Sequence, residues 1–384
     1  MTKAERFLRL FEHKDVDYLP SQITFADRTR DARICAELGL PDSAALDEYL
    51  NNHIAFTYLM DDVPLFYQNV RPIMDEMAVK GFCRPDYEHN TIYDNWGMGI
   101  QIGNNGFITT YGPLMGNKEL DRQAYDFLPE RVQKVIGLPL EEAVKKYEAP
   151  DPLAPGNDEW LIRDKDGVAG DLAVVPSGYF AIYERSYALM GWEQLMTEIA
   201  AEPEIVACLM EKVTDYRIKA AKVKADLGYK FAHHGDDLGT QMCGFFSPKM
   251  FREIILPNYK RLFAEYKKYG MYIIMHSCGH IMEYLPELID IGLDGWEPVQ
   301  PCNDLRYLKR EYGKDLVFWG GIDTQNLPFM TPEQVRQMTK ETMEIMGKGG
   351  GYVIAPAQEI MNDVPLENVI AILQTINEYR DKVM

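Results

Sequence analysis

Residues 271–280 read Met-Tyr-Ile-Ile-Met-His-Ser-Cys-Gly-His, and this stretch decides how the rest of the chain is interpreted. Its apolar first half, with two β-branched isoleucines, is typical of a buried strand, and a helical pattern follows from Ile281 to Ile291. The strand therefore delivers His276 and Cys278 to a loop between a strand and a helix. An imidazole and a thiolate two residues apart can both ligate zinc. The alternative is a hydrogen-bonded histidine beside a buried cysteine.

The same order of strand, loop and helix repeats after about residue 170. We predict six strands there, at Leu172–Ser177, Lys230–His234, the segment from Met271, Gly292–Val299, Leu316–Gly320 and Tyr352–Ala355. Two further candidates precede them, Ser21–Phe25 and His53–Met60. Eight strands with intervening helices predict a (β/α)8 TIM barrel, because this alternation buries a parallel sheet under a ring of helices. A doubly wound sheet is the alternative, but no glycine-rich phosphate loop follows any strand.

Helical spacing and capping residues place the helices. We predict them at Thr2–His13 (an amino-terminal extension), Leu38–Leu50, Trp192–Leu227 with a break near Pro203, Ser247–Tyr269, Ile281–Ile291, Asp304–Tyr312, Thr331–Met346 and Pro365–Tyr379. Residues 64–165 lack steady periodicity and are expected to form an irregular elaboration over the barrel, with a hairpin at Trp160–Asp171. The 384 residues are otherwise expected to form one barrel domain, 1–384.

The charge and hydrophobicity of the chain indicate which kinds of partner it can bind. Acidic residues outnumber basic ones by 59 to 40, for a formal charge of −19, which disfavours binding to the phosphate backbone of nucleic acids. No apolar run is long enough for a membrane span, and the first residues lack the apolar core of a signal peptide. The six cysteines show no paired spacing. The cytoplasm is therefore the expected compartment, and neither nucleic acid nor membrane is expected as a partner.

In a barrel, the active site lies where strands end and the following loops begin. The residues that the pattern brings to this rim are Tyr179, Tyr183, Glu184, Arg185, His234, Asp236, Asp237, His276, Cys278, Glu297, Gln300, Asp323, Gln325, Gln358 and Glu359.

Several of these residues have more than one interpretation. Asp236 and Asp237 could ligate metal, orient His276 or bind a substrate hydroxyl, or they could simply cap the loop. Glu184 and Arg185 could contact substrate or form a rim salt bridge. Glu297 is a candidate acid, base or ligand.

Seven motifs together resemble the uroporphyrinogen decarboxylase superfamily, and more narrowly its corrinoid-dependent methyltransferase branch. They are His234-Gly-Asp-Asp-Leu-Gly-Thr-Gln, Ser247-Pro-Lys-Met-Phe-Arg, Pro257-Asn-Tyr-Lys-Arg-Leu, His276-Ser-Cys-Gly, Glu297-Pro-Val-Gln-Pro, Trp319-Gly-Gly-Ile-Asp and Val364-Pro-Leu-Glu-Asn. The resemblance covers residues 170–380 well and residues 1–165 loosely, through Tyr93-Asp-Asn-Trp-Gly.

The resemblance implies a barrel that holds zinc and exchanges methyl groups with a corrinoid (cobalamin). His276 and Cys278 match the first two zinc ligands of thiol-methylating relatives, but Gln358 stands near the position of their later cysteine. We therefore expect Glu359 as the third ligand, with Asp237 or Glu297 as alternatives. This departure favours the component that takes a methyl group from a donor such as a methoxylated aromatic and passes it to the cob(I)alamin of a partner corrinoid protein.

The resemblance and the rim pattern together give the expected roles. The catalytic residues are Asp236, Asp237 and Glu297, and the substrate-binding residues are Tyr179, Tyr183, Glu184, Arg185 and Gln300. The sequence leaves the oligomeric state undetermined, and a homodimer is one alternative.

Two alternatives remain. One is a cofactor-free decarboxylase or lyase of the same superfamily, with Asp236 or Asp237 as the key acid. The arginine-rich amino-terminal motif of true uroporphyrinogen decarboxylases is not reproduced at Thr24-Phe-Ala-Asp-Arg-Thr-Arg-Asp. The other is a barrel that binds tetrapyrrole or metal without catalysis.

Overall fold

The computed structural model describes residues 1–65, 71–103, 106–168 and 170–383. Within them, the strands are β1 Ile54–Tyr58, β2 Cys83–Asp86, β3 Thr91–Asp94, β4 Gly99–Gly103, β5 Gly106–Tyr111, β6 Ala173–Ser177, β7 Phe231–Gly235, β8 Tyr272–His276, β9 Gly295–Val299, β10 Val317–Ile322 and β11 Tyr352–Pro356.

The α-helices of the same residues are α1 Lys3–Phe11, α2 Asp31–Leu38, α3 Ser43–Leu50, α4 Arg71–Val79, α5 Lys118–Ala124, α6 Glu130–Gln133, α7 Leu140–Lys146, α8 Glu159–Arg163, α9 Tyr183–Met190, α10 Trp192–Ala201, α11 Pro203–Asp226, α12 Pro248–Met250, α13 Leu256–Lys268, α14 Leu285–Asp290, α15 Leu305–Tyr312, α16 Pro332–Gly347 and α17 Leu366–Tyr379. Short 3-10 turns lie at Met60–Asp62, Tyr125–Phe127 and Leu327–Phe329, and π-helical turns lie at Asp164–Val168 and Phe251–Ile255.

The parallel strands of the described chain form two sheets, one of β1 and β6 and one in the order β7, β8, β9, β10, β11. Backbone hydrogen bonds connect β6 to β7, because Gly178 N–H donates to the His233 carbonyl and Gly235 N–H donates to the Gly178 carbonyl, each at 3.0 Å. The sheets do not merge into one continuous barrel. The predicted α/β class is confirmed, and all six strands expected after residue 170 are present.

The predicted first strand at residues 21–25 is wrong. Ser21 makes single parallel bridges to Asn52 and Ile354, and Phe25 makes one bridge to Ile360. Between these bridges, the backbone of Ile23 is bound by a side chain instead of a strand. The Asn52 amide accepts from Ile23 N–H at 2.7 Å and donates to the Ile23 carbonyl at 2.9 Å, and it replaces the ladder that a neighbouring strand would supply.

The inward face of the parallel strands is apolar at one end and polar at the other. Phe7 and Phe11 of α1 pack on Phe231, with ring centroids 4.9 and 5.2 Å apart, and fill the amino-terminal end. Because side chains alternate along a strand, a residue two positions after a strand residue in this apolar end, such as His233 after Phe231, also faces inward. Near the carboxyl ends, these inward positions carry Ser177, His233, His276 and Glu297, which is where polar chemistry is concentrated.

Two helix predictions need correction. The predicted helix Leu38–Leu50 is wrong in extent, because α2 ends at Leu38 with left-handed Gly39 (φ 69°) after it. A new helix, α3, then begins behind Asp42, whose carboxylate accepts from Ala45 N–H at 2.9 Å. The predicted helix Ile281–Ile291 is shorter than expected, since α14 begins only at Leu285. The break near Pro203 is confirmed, because α11 begins at that proline.

Residues 64–165 contain a four-stranded antiparallel sheet, in the order β2, β3, β4, β5, and several short helices. The predicted hairpin at Trp160–Asp171 is wrong, because α8 and the π-helical turn at Asp164–Val168 occupy most of it. The neighbours Trp160 and Leu161 are both buried, a pattern that a helix permits and an alternating strand does not. Residues 66–70, 104, 105 and 169 of these two predictions lie outside the described residues.

Candidate metal and substrate site

A buried hydrogen-bonded chain fixes the orientation of His276. Its Nδ1 lies 2.8 Å from Oε1 of Glu297, and the same oxygen lies 2.7 Å from Nε2 of His233. The other nitrogen of His233 lies 2.6 Å from the Ser177 hydroxyl. A carboxylate only accepts, so both imidazoles donate to Glu297, and the Ser177 hydroxyl donates to His233. This arrangement turns His276 Nε2 away from Glu297, toward the loop of Cys278.

The outer side of His276 carries a compact set of ligand atoms. His276 Nε2 lies 3.4 Å from Oδ1 of Asp237 and 3.7 Å from Sγ of Cys278. The Cys278 backbone N–H donates to the same Asp237 oxygen at 2.8 Å. One donor atom from each residue lies within 4.8 Å of the other two. Nitrogen, sulfur and carboxylate oxygen are the ligands that zinc accepts, so the residues present fit this metal.

Charge interactions in this cluster oppose the effect of burial. Burial alone would lower the pKa of His276, but Glu297, Asp237 and Cys278 raise it well above its usual value. Burial would raise the pKa of Glu297, yet His276 and His233 lower it to about 2. His233 differs, since burial lowers its pKa more than Glu297 raises it. Glu297 is therefore ionised, and both histidines donate hydrogen bonds to it.

The expected third ligand, Glu359, lines the cavity beside this cluster, but it belongs to neither group of mutually close donor atoms found among the described residues. Asp237, one of the alternatives, is the carboxylate that joins His276 and Cys278. Glu297, the other, groups with His233 on the opposite side of His276. Gln358, near the expected position of a cysteine, approaches Cys278 Sγ at 3.8 Å through its amide nitrogen.

A cavity of about 1250 Å³ opens over this cluster. Its aromatic lining residues are Phe56, Tyr58, Tyr179, Phe180, Tyr187 and Trp319. Its acidic lining residues are Asp27, Glu184, Asp237, Glu297, Glu359 and Asp363. Among the described residues that line it, His276 is the one basic side chain. The size and the aromatic walls suit a small organic molecule.

Two of the five predicted substrate-binding residues, Tyr179 and Glu184, line this cavity, and the other three do not. Tyr183 is buried, and its hydroxyl accepts from the Trp192 indole at 2.9 Å. Arg185 is buried against Asp94, with 3.1 Å between Nη1 and Oδ2. Gln300 ties two loops together, accepting from Gly279 N–H at 2.8 Å and donating to the Ala357 carbonyl at 3.2 Å.

The predicted catalytic residue Asp236 lies in the protein interior, away from the cavity lining. Its carboxylate accepts from the backbone N–H groups at the start of α9, at 2.9 Å from Ile182, 3.1 Å from Tyr183 and 2.8 Å from Glu184. The Tyr259 hydroxyl donates to it at 2.8 Å. Asp236 is thus placed to hold a helix end, whereas its neighbour Asp237 faces the cavity.

Sequence reasoning missed His233 and selected His234, which faces outward and packs on Tyr259 and Phe263. The signal was the alternation of side chains along β7. Phe231 faces the apolar interior, so His233 faces inward too, whereas His234 points toward α13. Ser177, Phe56 and Trp319 were missed as contributors for the same reason.

Comparisons with known proteins show which family the chain resembles. The family model for uroporphyrinogen decarboxylase (URO-D) matches residues 183–379. A uroporphyrinogen decarboxylase from Psychromonas ingrahamii is 25% identical over 46% of this chain and 49% of its own length. The methylcobamide:CoM methyltransferase MtaA from Methanosarcina barkeri is 23% identical over 44% of this chain and 50% of its own length. The chain thus spans about half the length of these curated relatives.

The fold of the whole chain is similar to that of a solved structure. A methyltransferase from Methanosarcina mazei aligns over 99% of both chains with a TM-score of 0.60 and 17% sequence identity. The resemblance drawn from the motifs is confirmed, because the family model covers more than half of the chain and includes α9, β7, β8 and the His276 loop. The chain belongs to the uroporphyrinogen decarboxylase (URO-D) family.

Proposed function

We propose that the protein is a zinc-dependent, corrinoid-dependent methyltransferase that moves a methyl group from a small donor to the cob(I)alamin of a partner corrinoid protein. The observation that carries this proposal is the group of His276 Nε2, Cys278 Sγ and Asp237 Oδ1, which lies beside an aromatic cavity of about 1250 Å³. MtaA and the M. mazei structure, both named as methyltransferases, support it. A methoxylated aromatic fits the walls as donor.

In this proposal, His276, Cys278 and Asp237 hold the metal. Glu297 and His233 are positioning residues: Glu297 accepts from His276 Nδ1 and so directs Nε2 toward Cys278 and Asp237, where Nε2 would give up its proton on binding the metal. Zinc bound there would supply a Lewis acid that stabilises negative charge on the leaving oxygen.

In the proposed transfer, the methyl carbon would separate from the ether oxygen, which keeps the bonding electron pair and takes up a proton from water. Cobalt(I) of the acceptor would supply the electron pair for the new bond to carbon. Tyr179 and the other aromatic residues hold the donor ring and keep bulk water from the reacting carbon.

The proposal also covers the domain organisation, the docking of the partner and the compartment. We infer one domain of the (β/α)8 type, in which the single bridges of Ser21 to Asn52 and Ile354 take the place of an eighth strand and residues 64–165 form the elaboration. The partner would dock at the mouth of the cavity. The proposed compartment is the cytoplasm, where six free cysteines stay reduced. Among the described residues, no helix is both long and apolar enough to cross a bilayer.

The alternative, a cofactor-free decarboxylase, has less support from the cavity. A substrate with several carboxylates needs cations to hold it, and the described lining offers no lysine or arginine. Of the two acids named for that reaction, Asp236 is bound to the backbone at the start of α9, and Asp237 lines the cavity.

Anaerobic incubation of the zinc-loaded protein with cob(I)alamin and a methoxylated aromatic tests the proposal. We expect the cobalt absorption spectrum to change as the methyl group arrives, with an equal amount of demethylated product. A cobalt spectrum that stays unchanged with every donor tested, neutral, cationic and anionic, would contradict the proposal.

A further inference from the structure

The charge of the cavity lining is strongly one-sided. Six lining residues carry carboxyl groups, while the described lining contains no lysine or arginine and a single histidine. Asp237 and Glu297 are engaged by the His276 cluster. Asp27 and Asp363 lie toward Arg30, which bonds the neighbouring carbonyls of Met361 and Asn362. Glu184 and Glu359 remain.

Glu184 and Glu359 share one cationic neighbour, His276, whose charge does not offset their burial, so the pKa of each carboxyl group is raised. Neither forms a salt bridge with any described residue, although both are half-buried in the cavity wall. The Glu184 carboxylate accepts a hydrogen bond from the neutral Tyr187 hydroxyl at 3.1 Å. Burial raises these pKa values because a carboxylate withdrawn from water is costly, and a positively charged ligand would offset this cost and favour the ionised form.

The walls have the matching chemistry for a cation. Phe56 stacks on Trp319 with centroids 5.9 Å apart, and Tyr58 stacks on Tyr179 at 6.0 Å. All four residues line the cavity. The electron-rich faces of such rings attract cations as well as aromatic rings, and they give no compensation for an anion.

We propose that the methyl donor carries a positive charge, as in an arylalkylamine that bears a methoxy group, and that the acidic wall excludes donors that carry a carboxylate. This inference rests on the proposed function. It adds the charge class of the substrate, which the methyltransferase chemistry leaves open.

The test compares three donors of nearly equal size that differ in charge: 4-methoxybenzylamine, 4-methoxybenzyl alcohol and 4-methoxybenzoate. Binding to the zinc-loaded full chain is measured by calorimetry at neutral pH, without cobalamin. We expect the amine to bind about tenfold more tightly than the alcohol and the benzoate to bind most weakly. Benzoate binding that equals or exceeds amine binding would overturn the inference.

Substitutions locate the effect. Glu184→Gln should reduce the preference for the amine over the alcohol about fivefold or more, because it removes a carboxyl group that can ionise against the bound ammonium and keeps the side-chain shape. The matched control is Glu344→Gln, an exposed position on α16, which should leave the preference unchanged. A preference that is the same in Glu184→Gln and Glu344→Gln would contradict a role for Glu184.

The two proposals fail in different ways. Tight binding of the amine without methyl transfer to cob(I)alamin would support a cavity that selects cations and overturn the proposed reaction. Efficient demethylation of the benzoate would support the reaction and overturn the inferred charge class.

Discussion

At the residue scale, His276 is defined by what its two nitrogens face. Nδ1 faces Glu297 at 2.8 Å, and Nε2 faces Asp237 and Cys278. One nitrogen is therefore used for orientation, and the other is available to a metal. Neither Glu297 nor His233 touches the Cys278 side of the ring, so their effect on a metal is indirect.

Glu297→Gln should weaken zinc binding without removing a ligand. The amide accepts less strongly from His276 and His233, so the imidazole loses its fixed orientation, and zinc affinity should fall by about 10- to 100-fold. Competition with a chromogenic chelator measures this affinity. The comparison variant is Glu344→Gln, and equal affinities in the two variants would contradict the positioning role.

His53 gives a separate prediction for pH. Burial, with the charges of Arg6 and Arg380, lowers the pKa of His53 from 6.5 to about 3. The neutral ring accepts from Arg6 Nη1 at 3.2 Å, and its other nitrogen lies 2.7 Å from the Asn51 carbonyl. The unfolded chain therefore binds more protons between these two values, so the free energy of unfolding falls as pH drops below about 6.5.

His53→Gln should remove part of this acid sensitivity. Between pH 7.5 and 5, the difference in the free energy of unfolding should be smaller than in the wild type by about 1–2 kcal/mol. Urea unfolding at the two pH values measures it, with His13→Gln as the exposed control. Equal pH dependence in wild type and His53→Gln would show that His53 does not titrate in this way.

Side-chain types were predictable from sequence, but their partners were not. His276 and Cys278 stand out because two ligand types end an apolar strand. Selecting His234 instead of His233 shows the limit, since adjacent residues on a strand face opposite sides and only the packing of Phe231 reveals which side is inside.

At the element scale, the adjacent residues Asp236 and Asp237 serve different elements. Asp236 accepts three backbone N–H groups at the start of α9, whereas Asp237 joins the His276 loop. Extended backbone turns neighbouring side chains in opposite directions, so the pair divides between the interior and the cavity.

Exchanging each aspartate for asparagine should separate stability from metal binding. Asp236→Asn replaces one acceptor oxygen with a donor amide among backbone donors, so the free energy of unfolding should fall by about 2–4 kcal/mol. Asp237→Asn should cost less stability and more zinc affinity. Urea unfolding and chelator competition on both variants measure this, and the reverse pattern would contradict the assignment.

Elements with their own local signals were predicted well, and those set by distant contacts were not. Pro203 marks the start of α11 and Ser247 caps α12, both visible in sequence. At residues 21–25, the strand is replaced by bonds to the Asn52 side chain, which lies 29 residues away from Ile23. No local pattern contains that information.

At the scale of the whole molecule, the parallel strands bring residues from distant parts of the chain to one end. Ser177, His233, His276 and Glu297 come from four successive strands and form one hydrogen-bonded chain. The amino-terminal helix α1 fills the opposite end with Phe7 and Phe11. Polar chemistry is thereby confined to the end where the cavity opens.

The central claim is that His276, Cys278 and Asp237 form a zinc site. Elemental analysis of the purified full chain, wild type and with His276→Ala or Cys278→Ser, tests it most directly. We expect stoichiometric zinc in the wild type and its loss in both variants, each still folded by circular dichroism. A wild-type protein that transfers methyl groups at full rate without metal, or variants that retain stoichiometric zinc, would contradict it.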